Sequence, residues 1–293
     1  MKKERIIVTG GSGSLGRTLI PKLVSEGFNC ISISRKSSVI GSVKNIKCDI
    51  TNFQKVNSII NQFKPNIIIH LAGLTGNLEC ENNPKIAFSN NVNGTLNILQ
   101  ASTKLRSKII FSSTREVYGY TKIAADETHP LKPINNNGMT KAISENLIRN
   151  FHSIYNTPYT ILRFPNCYSE NYAKRGLSSL LKKAIKGEKI KIFGGNQILD
   201  LLHYNDAADA ILKSIYRDKT EIFNIGTGKS QKLVSIINKL ERVLGKDIDC
   251  DFLPSRSFEV RICKLNIDKA KKNLKFEASI KLDNILRKIV SKW

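Results

Sequence analysis

Hydrophobic and polar residues follow two rhythms along this chain. Short runs rich in Ile and Val are followed by longer stretches in which apolar residues recur every three or four positions, as on one face of a helix. The runs predict strands at residues 5–9, 29–34, 44–48, 66–71, 107–112 and 159–164, and helices at 13–26, 53–63, 85–104 and 138–155. Strands that alternate with helices indicate right-handed βαβ units. We therefore expect an α/β fold with a doubly wound parallel sheet.

The pattern becomes looser after Pro165. Helical periodicity returns at residues 177–186, 206–217, 231–244 and 280–290, with less regular segments between them. We place one domain at residues 1–165, to which residues 200–225 return, and a smaller α/β lobe at residues 166–293.

Composition and charge restrict the class of protein. The chain has no stretch of about 18 apolar residues that could span a bilayer, and its N-terminus does not read as a signal peptide. This N-terminus favours a cytoplasmic location. The six cysteines form no pair at metal-ligand spacing with each other or with His, so we expect reduced thiols and no metal site. The formal net charge of +23 attracts anions, but the lysines are dispersed. A nucleic-acid partner and a membrane partner are therefore not favoured.

A glycine-rich segment follows the first predicted strand and opens the first predicted helix: Thr9-Gly10-Gly11-Ser12-Gly13-Ser14-Leu15-Gly16. In this context Gly10 permits a tight turn, Gly13 lets the backbone approach a pyrophosphate, and Gly16 lets the helix pack on the strand. Ser14 and Leu15 begin the helix, whose N-terminal N–H groups bind phosphate. The segment predicts a dinucleotide-binding Rossmann fold in the first domain.

The G-x-x-G-x-x-G spacing resembles that of the short-chain dehydrogenase/reductase superfamily, and further matches follow in order. They are Cys48-Asp49-Ile50, His70-Leu71-Ala72-Gly73, Asn91-Val92-Asn93-Gly94-Thr95, Phe111 to Gly119, Arg163-Phe164-Pro165-Asn166, Asp200 to Asp206 and Phe223-Asn224-Ile225-Gly226. The chain is identified as a member of the extended branch, the nucleotide-sugar (NAD-dependent) epimerase/dehydratase family. The resemblance implies cofactor contacts from Asp49, Ile50, Leu71, Ala72, Gly73, Asn91 and Lys141.

The end of the second strand decides between NAD and NADP. A carboxylate there would hold the ribose hydroxyls of NAD, and a cation would accept the extra phosphate of NADP. The chain has Ser34-Arg35-Lys36 at this point and no acid. We favour NADP, with Ser34 and Arg35 as ligands. NAD is the alternative, and Arg35 would then be a solvated loop cation.

The superfamily resemblance implies a catalytic trio of Ser or Thr, Tyr and Lys. Thr114 and Lys141 match two members, but Asn137 stands four residues before the lysine, where the family has Tyr. Asparagine cannot exchange a proton near neutral pH. Another base is therefore needed, and Lys141, Glu116 or a water held by Thr114 are the candidates. We count all four residues as catalytic candidates.

Two further sets of family positions concern the substrate. Retaining dehydratases have Thr-Asp-Glu where this chain has Thr114-Arg115-Glu116, so the acid that protonates the leaving hydroxyl is missing. The resemblance assigns Asn166 and Arg256, together with Thr114, to substrate binding, and it implies that the lobe at residues 166–293 binds the substrate. Leu199 replaces a family arginine that binds phosphate, and His203 is expected to be a packed or hydrogen-bonded histidine.

Three functions remain open. The first is an NAD(P)-dependent nucleotide-sugar epimerase or ketosugar reductase with an atypical active site. The second is a nucleotide-sugar 4,6-dehydratase, which the replacement at Arg115 weakens. The third is a non-catalytic dinucleotide-binding protein, regulatory or RNA-associated. Family resemblance also implies a homodimer formed through a four-helix bundle.

Overall fold

The computed structural model describes residues 4–36, 40–171 and 176–290. The strands are β1 (Arg5–Thr9), β2 (Asn29–Ser34), β3 (Asn45–Lys47), β4 (Ile67–His70), β5 (Lys108–Thr114), β6 (Tyr159–Phe164), β7 (Asn166–Tyr168), β8 (Ile190–Phe193), β9 (Ile198–His203), β10 (Glu221–Asn224), β11 (Ser230–Lys232) and β12 (Cys250–Leu253). The helices are α1 (Ser14–Ser25), α2 (Phe53–Phe63), α3 (Asn77–Asn82), α4 (Pro84–Phe88), α5 (Gly94–Ser102), α6 (Asn136–Tyr155), α7 (Gly176–Lys186), α8 (Tyr204–Ile215), α9 (Leu233–Leu244), α10 (Asp268–Leu274) and α11 (Leu282–Val290).

A parallel sheet organises the larger part of the molecule. Within the described residues it has seven strands in the order β10-β6-β5-β4-β1-β2-β3. The order reverses between β1 and β4, because β2 and β3 lie on one side of β1 and β4 to β6 on the other. Ligands of such sheets bind at the carboxyl ends of the strands beside this reversal. The expected doubly wound α/β fold is confirmed.

Residues on β1 show why the sheet is covered on both faces. Ile6 and Val8 point into a core shared with α1 and α8, whereas Ile7 points into the core shared with α2 and α5. All three side chains are fully buried. Strands buried on both faces read as continuous apolar runs, which is the pattern in this part of the sequence.

One predicted helix is interrupted in the structure. Residues 85–104 were expected to be continuous, but α4 and α5 are separated by a π-helical turn at Ser89–Asn93. Asn90 and Asn91 are buried in that turn. A π-helical turn adds a residue to the helix and turns the side chains that follow it, and here it directs Asn91 toward the loop after β4.

Outside the seven-stranded sheet, the described ranges contain two small sheets and the helices α7, α9 and α11, and we use the name second lobe for these elements. Strand β9 pairs with β7 in parallel and with β11 antiparallel, while β8 pairs with β12 in parallel. The three helices contribute to one apolar cluster of this lobe, around Leu181, Ile236 and Leu286. None of the helices that the structure describes combines the length and apolar character needed to cross a bilayer.

A buried ion pair fixes the strands below the cleft. Arg163 on β6 donates to Glu145 on α6 at 2.6 Å, and Ser113 on β5 donates to the same carboxylate at 2.5 Å. Arg163 also donates to the Tyr118 hydroxyl at 2.7 Å. These contacts hold β5, β6 and α6 together behind the site.

Candidate active site

A cleft of about 1680 Å³ runs along the carboxyl edge of the sheet and continues between the two lobes. Its wall extends from the glycine loop after β1, past the ends of β4 and β5, to residues of the second lobe. Its position at the strand-order reversal is where α/β sheets bind ligands.

The glycine loop forms one end of the cleft. Gly10 has a φ of 71°, and a Cβ there would lie 2.8 Å from the backbone of Ala72. A Cβ on Gly16 would lie 2.5 Å from the Cα of Gly11, so α1 packs closely on the loop. Gly13 is more open, since a Cβ there would meet only the Gly10 carbonyl, at 3.1 Å.

The N-terminus of α1 faces the cleft beside this loop. Gly13 occupies the N-cap position without any side-chain cap, and Ser14 and Leu15 line the cleft wall. The first N–H groups of a helix attract anions when no side chain caps them. The loop and the helix end therefore fit a pyrophosphate group.

The ends of β2 and β3 form the next part of the wall. Ser34 Oγ lies 2.9 Å from the Lys36 carbonyl and 3.1 Å from Asn45 Oδ1, and Arg35 is exposed at the rim. Asp49 Oδ1 accepts hydrogen bonds from the backbone and side chain of Thr51 at 2.9 and 2.8 Å.

Ile50 is buried next to Asp49. Its side chain fills the space over Gly94 on α5, where a Cβ would lie 2.4 Å from it. Both Asp49 and Ile50 line the cleft.

Asn91 supports the cleft from behind. Leu71, Ala72 and Gly73 line the cleft, but Asn91 is absent from its wall. Asn91 Oδ1 accepts from the Leu74 N–H at 2.7 Å, and its Nδ2 donates to the Leu74 carbonyl at 2.9 Å. Its amide thereby holds the loop after β4 in place, a role that the family motif alone does not specify.

Lys141 lies under the middle of the cleft. Its side chain is buried, and Nζ donates to the Ser112 carbonyl at 2.7 Å and lies 4.5 Å from the centre of the Phe111 ring. Burial lowers the pKa of Lys141 to about 8, because the apolar surroundings disfavour the charged form. A lysine in this state holds a substantial fraction of neutral amine near neutral pH.

Glu116 lines the same cleft as Lys141 and is held by amide groups. It follows β5 in a single 3₁₀ turn, and its N–H donates to Thr114 Oγ1 at 3.3 Å. Its Oε2 accepts from Asn77 Nδ2 at 3.1 Å and from Asn135 Nδ2 at 2.8 Å. Arg115 Nε lies 3.4 Å from its other oxygen.

Asn137 continues this chain of amides. It lies in the first turn of α6 and lines the cleft, and its Nδ2 donates to Asn77 Oδ1 at 3.1 Å. Its own Oδ1 is buried without a hydrogen-bond partner in the described structure. The position of the missing tyrosine is therefore part of a polar network.

Two members of this network were not found from the sequence. Asn135 is the N-cap of α6 and accepts from the Gly138 N–H at 2.8 Å, and its place three residues before Gly138 is a recognisable capping signal. Asn77 comes from α3, far from Asn137 in sequence, and no local pattern marks it.

Residues of the second lobe form the other end of the cleft. Asn166 on β7 is exposed in its wall. The Arg256 guanidinium stacks 3.5 Å above the centre of the Phe193 ring and lies 3.4 Å from Glu259. Leu199 also lines the cleft, so an apolar side chain stands where the family has an arginine.

His203 is packed and hydrogen-bonded. Its Nδ1 accepts from the Asn205 N–H at 3.2 Å, so Nε2 is the atom that donates to Glu170, at 2.9 Å. The ring is 3% exposed and packs edge-on against Tyr168. These contacts account for this histidine within the fold.

Comparisons with known proteins agree with this geometry. The model of the family described as "NAD dependent epimerase/dehydratase family" matches residues 6–226. A putative UDP-glucose 4-epimerase of Methanocaldococcus jannaschii is 29% identical, over 98% of this chain and 97% of that protein. A UDP-glucuronate 4-epimerase of Thermodesulfobacterium geofontis is 26% identical, over 97% of this chain and 94% of that protein.

Solved structures show the same fold. The UDP-glucose 4-epimerase of Thermotoga maritima, crystallised with UDP-glucose, is 28% identical with a TM-score of 0.92, covering 98% of this chain and 97% of that chain. The UDP-glucose 4-epimerase of Thermus thermophilus, in complex with NAD, is 21% identical with a TM-score of 0.91 and covers 98% of both chains. At 21% identity, the likeness to the Thermus protein concerns the fold alone.

Proposed function

This chain belongs to the NAD dependent epimerase/dehydratase family, and from that premise we propose that it is a nucleotide-sugar epimerase with an atypical base. The observation that carries the proposal is the continuous cleft, which begins at the uncapped helix end beside Gly13 and finishes at Asn166 and Arg256. Thr114, Lys141 and Glu116 fall between the two ends. The relatives from Methanocaldococcus and Thermotoga support UDP-hexoses as the substrate class.

We propose NAD as the cofactor. The preference for NADP that Arg35 favoured in the sequence has no support among the relatives compared, and the family whose model matches residues 6–226 is described as NAD dependent. Bound in this cleft, a nicotinamide dinucleotide would supply reversible hydride transfer at the sugar carbon. Gly13 and the first turn of α1 would hold its pyrophosphate.

Titration with both dinucleotides tests the cofactor assignment. We expect tighter binding of NAD than of NADP, and Arg35→Ala should change NAD binding by less than about twofold, because an exposed cation contributes little to a ligand without the extra phosphate. A large loss of NADP affinity in this variant, with NADP the tighter ligand in the unchanged protein, would restore the NADP assignment.

We assign the base to Lys141. Asn137 cannot exchange protons, and Glu116 already accepts hydrogen bonds from two asparagine amides. The pKa of Lys141 is about 8, so about a tenth of the amine is neutral at pH 7. The neutral amine keeps its hydrogen bond to Ser112 while its lone pair takes the proton of the sugar hydroxyl.

Arg256 and Asn166 would hold the nucleotide-sugar. A planar guanidinium binds phosphate oxygens through two parallel hydrogen bonds, and stacking on Phe193 fixes the plane of Arg256. The 4,6-dehydratase alternative is not favoured. Arg115 stands where that reaction needs an acid, and its guanidinium lies 3.3 Å from the Cys263 carbonyl.

The pH dependence of hydride transfer tests the base. Reduction of NAD by UDP-glucose in a single turnover should become about tenfold faster per pH unit below pH 8 and level off above it, as expected for a base with that pKa. Lys141→Met should abolish this phase, whereas Lys272→Met, an exposed lysine, should not change it. A rate that does not rise between pH 6 and pH 8 would exclude Lys141 as the base.

Product analysis tests the reaction itself. A product of unchanged mass and altered retention on chromatography is expected from UDP-glucose. Loss of water would instead indicate a dehydratase. Tight binding of dinucleotide with no turnover of any UDP-, GDP-, dTDP- or CDP-sugar would favour a non-catalytic protein.

We also propose a homodimer through the face formed by α4 and α6. Ile86 and Phe88 on α4 and Ile154 and Tyr155 on α6 are large apolar side chains that are exposed in this chain. Exposed apolar groups of this kind are typical of interaction sites. Light scattering should give the mass of two chains, and Ile86→Glu should halve it.

A further inference from the structure

The carboxylate of Glu116 fixes the orientation of the Asn137 amide through Asn77, which forms a hydrogen bond with each of them. An ionised carboxylate offers only acceptors, so the Asn77 group that faces Glu116 must be its Nδ2, at 3.1 Å. The Oδ1 of Asn77 then faces Asn137 and can only accept. Asn137 must therefore direct its own Nδ2 toward Asn77, at 3.1 Å.

This relay, the series of hydrogen bonds from Asn137 through Asn77 to Glu116, leaves Asn137 Oδ1 as an unused acceptor beside the cleft. Asn137 is 7% exposed, lines the cleft, and has no hydrogen-bond partner for Oδ1 within the described residues. Turning the Asn137 amide by half a turn would place its Oδ1 against Asn77 Oδ1, so that two acceptors would face each other without a donor. Oδ1 has almost no exposed surface, and a buried acceptor without a partner is unfavourable. A small shift of the Asn137 side chain that brings Oδ1 to a donating ligand group in the cleft would therefore be favoured.

We propose that Asn137 Oδ1 accepts a hydrogen bond from one hydroxyl of the bound sugar, with Glu116 as the positioning residue that sets its direction. The inference rests on the proposed function, since it takes the nucleotide sugar as the ligand of this cleft. In this arrangement, two tasks that the resemblance gives to one tyrosine, binding the sugar hydroxyl and exchanging its proton, fall to two residues. Asn137 orients the hydroxyl and Lys141 exchanges the proton.

Asn135 reinforces the direction of the relay. Its Nδ2 donates to the same Glu116 oxygen at 2.8 Å, while its Oδ1 is already used by the Gly138 N–H at 2.8 Å. Asn135 cannot turn without uncapping α6. Glu116 therefore accepts hydrogen bonds from two amides. Every hydrogen bond from Asn137 through Asn77 is donated in the direction of Glu116.

Fluorine replacement at each sugar hydroxyl identifies the partner of Asn137. A C–F group keeps the size of the hydroxyl but donates no hydrogen bond. We would measure binding of UDP-glucose, and of analogues with one ring hydroxyl each replaced by fluorine, to the NAD-saturated protein by calorimetry. The wild-type chain should bind one analogue about tenfold more weakly than UDP-glucose, because its acceptor stays unpaired.

Two variants and one control separate the acceptor from its orientation. Asn137→Leu should lose discrimination against that one analogue and keep it for the others. Glu116→Gln should reduce the same discrimination, since a neutral amide no longer imposes the direction on Asn77. Asn150→Leu makes the same change on an exposed part of α6 and should retain the wild-type ratio.

The outcomes distinguish this inference from the proposed function. If UDP-glucose binds and Asn137→Leu discriminates among the analogues as the wild type does, the inference is wrong and the proposed function stands. If no nucleotide sugar binds the NAD-saturated wild type, the proposed function fails and the inference fails with it. Loss of discrimination at one hydroxyl in both variants supports the assignment.

Discussion

Replacing Lys141 with Met is expected to stabilise the fold while removing activity. Burial lowers the pKa of this lysine from 10.5 to about 8. Each tenfold change in proton affinity is worth about 1.4 kcal/mol. Burying the charged lysine therefore lowers the free energy of unfolding at pH 7 by about 3 kcal/mol. The variant also loses the hydrogen bond to the Ser112 carbonyl, worth about 1 kcal/mol. The free energy of unfolding should therefore rise by about 2 kcal/mol.

The pH dependence gives this prediction its sign. The folded-state pKa lies below the unfolded-state value, so the unfolded chain binds more protons between pH 8 and pH 10.5. The destabilisation by the buried charged lysine is therefore fully present below pH 8, and the free energy of unfolding of the wild-type chain rises between pH 8 and pH 10.5. Met carries no such proton. The advantage of Lys141→Met should therefore shrink from about 2 kcal/mol at pH 7 to nearly zero at pH 10.

Urea unfolding followed by circular dichroism measures this difference. Both proteins must be free of dinucleotide, because a ligand that binds only the folded chain adds its own stabilisation. Lys272→Met, at an exposed site, should leave the free energy of unfolding unchanged at both pH values. If Lys141→Met were less stable than wild type at pH 7, or if the gap did not depend on pH, the account of a buried, destabilised amine would be refuted.

Three further predictions concern the glycine loop and the second lobe. Gly16→Ala should lower the free energy of unfolding by about 2 kcal/mol, measured in urea, because its Cβ would lie 2.5 Å from the Cα of Gly11. Gly13→Val should abolish dinucleotide binding in a fluorescence titration, because the branched side chain would fill the pyrophosphate site. It should also lower Tm, but less than Gly16→Ala does, because only the Gly10 carbonyl, at 3.1 Å from the added Cβ, has to shift. Arg256→Lys should weaken UDP-glucose binding about tenfold in calorimetry and leave NAD binding unchanged, because lysine loses both the stack on Phe193 and bidentate phosphate contacts.

The sequence predicted the central sheet well for a physical reason. Strands such as β1 and β6 are buried on both faces, so nearly every residue is apolar or fully enclosed and the run has sharp ends. The strands of the second lobe are short and half-exposed. In β8, Lys191 is exposed between the buried Ile190 and Ile192, and so short an alternation does not stand out from a loop.

The site shows the same division. The glycine loop and Lys141 are marked by local spacing, whereas Asn77 reaches the site only because α3 folds against α6. The motif around Asn91 was recognisable, but its role behind the cleft depends on the π-helical turn. Sequence spacing identifies residues that act through local backbone geometry. It does not identify partners that meet through tertiary packing.

The position of β10 at the edge of the sheet has a consequence for synthesis on the ribosome. Thr160 to Arg163 of β6 pair with Glu221 to Asn224, so one edge of the buried strand β6 has no partner until residue 224 has been made. Until then the nascent chain carries an unpaired apolar strand, the type of edge that associates with other chains. Premature termination between β6 and β10 would therefore yield an aggregation-prone fragment rather than an independent dinucleotide-binding module.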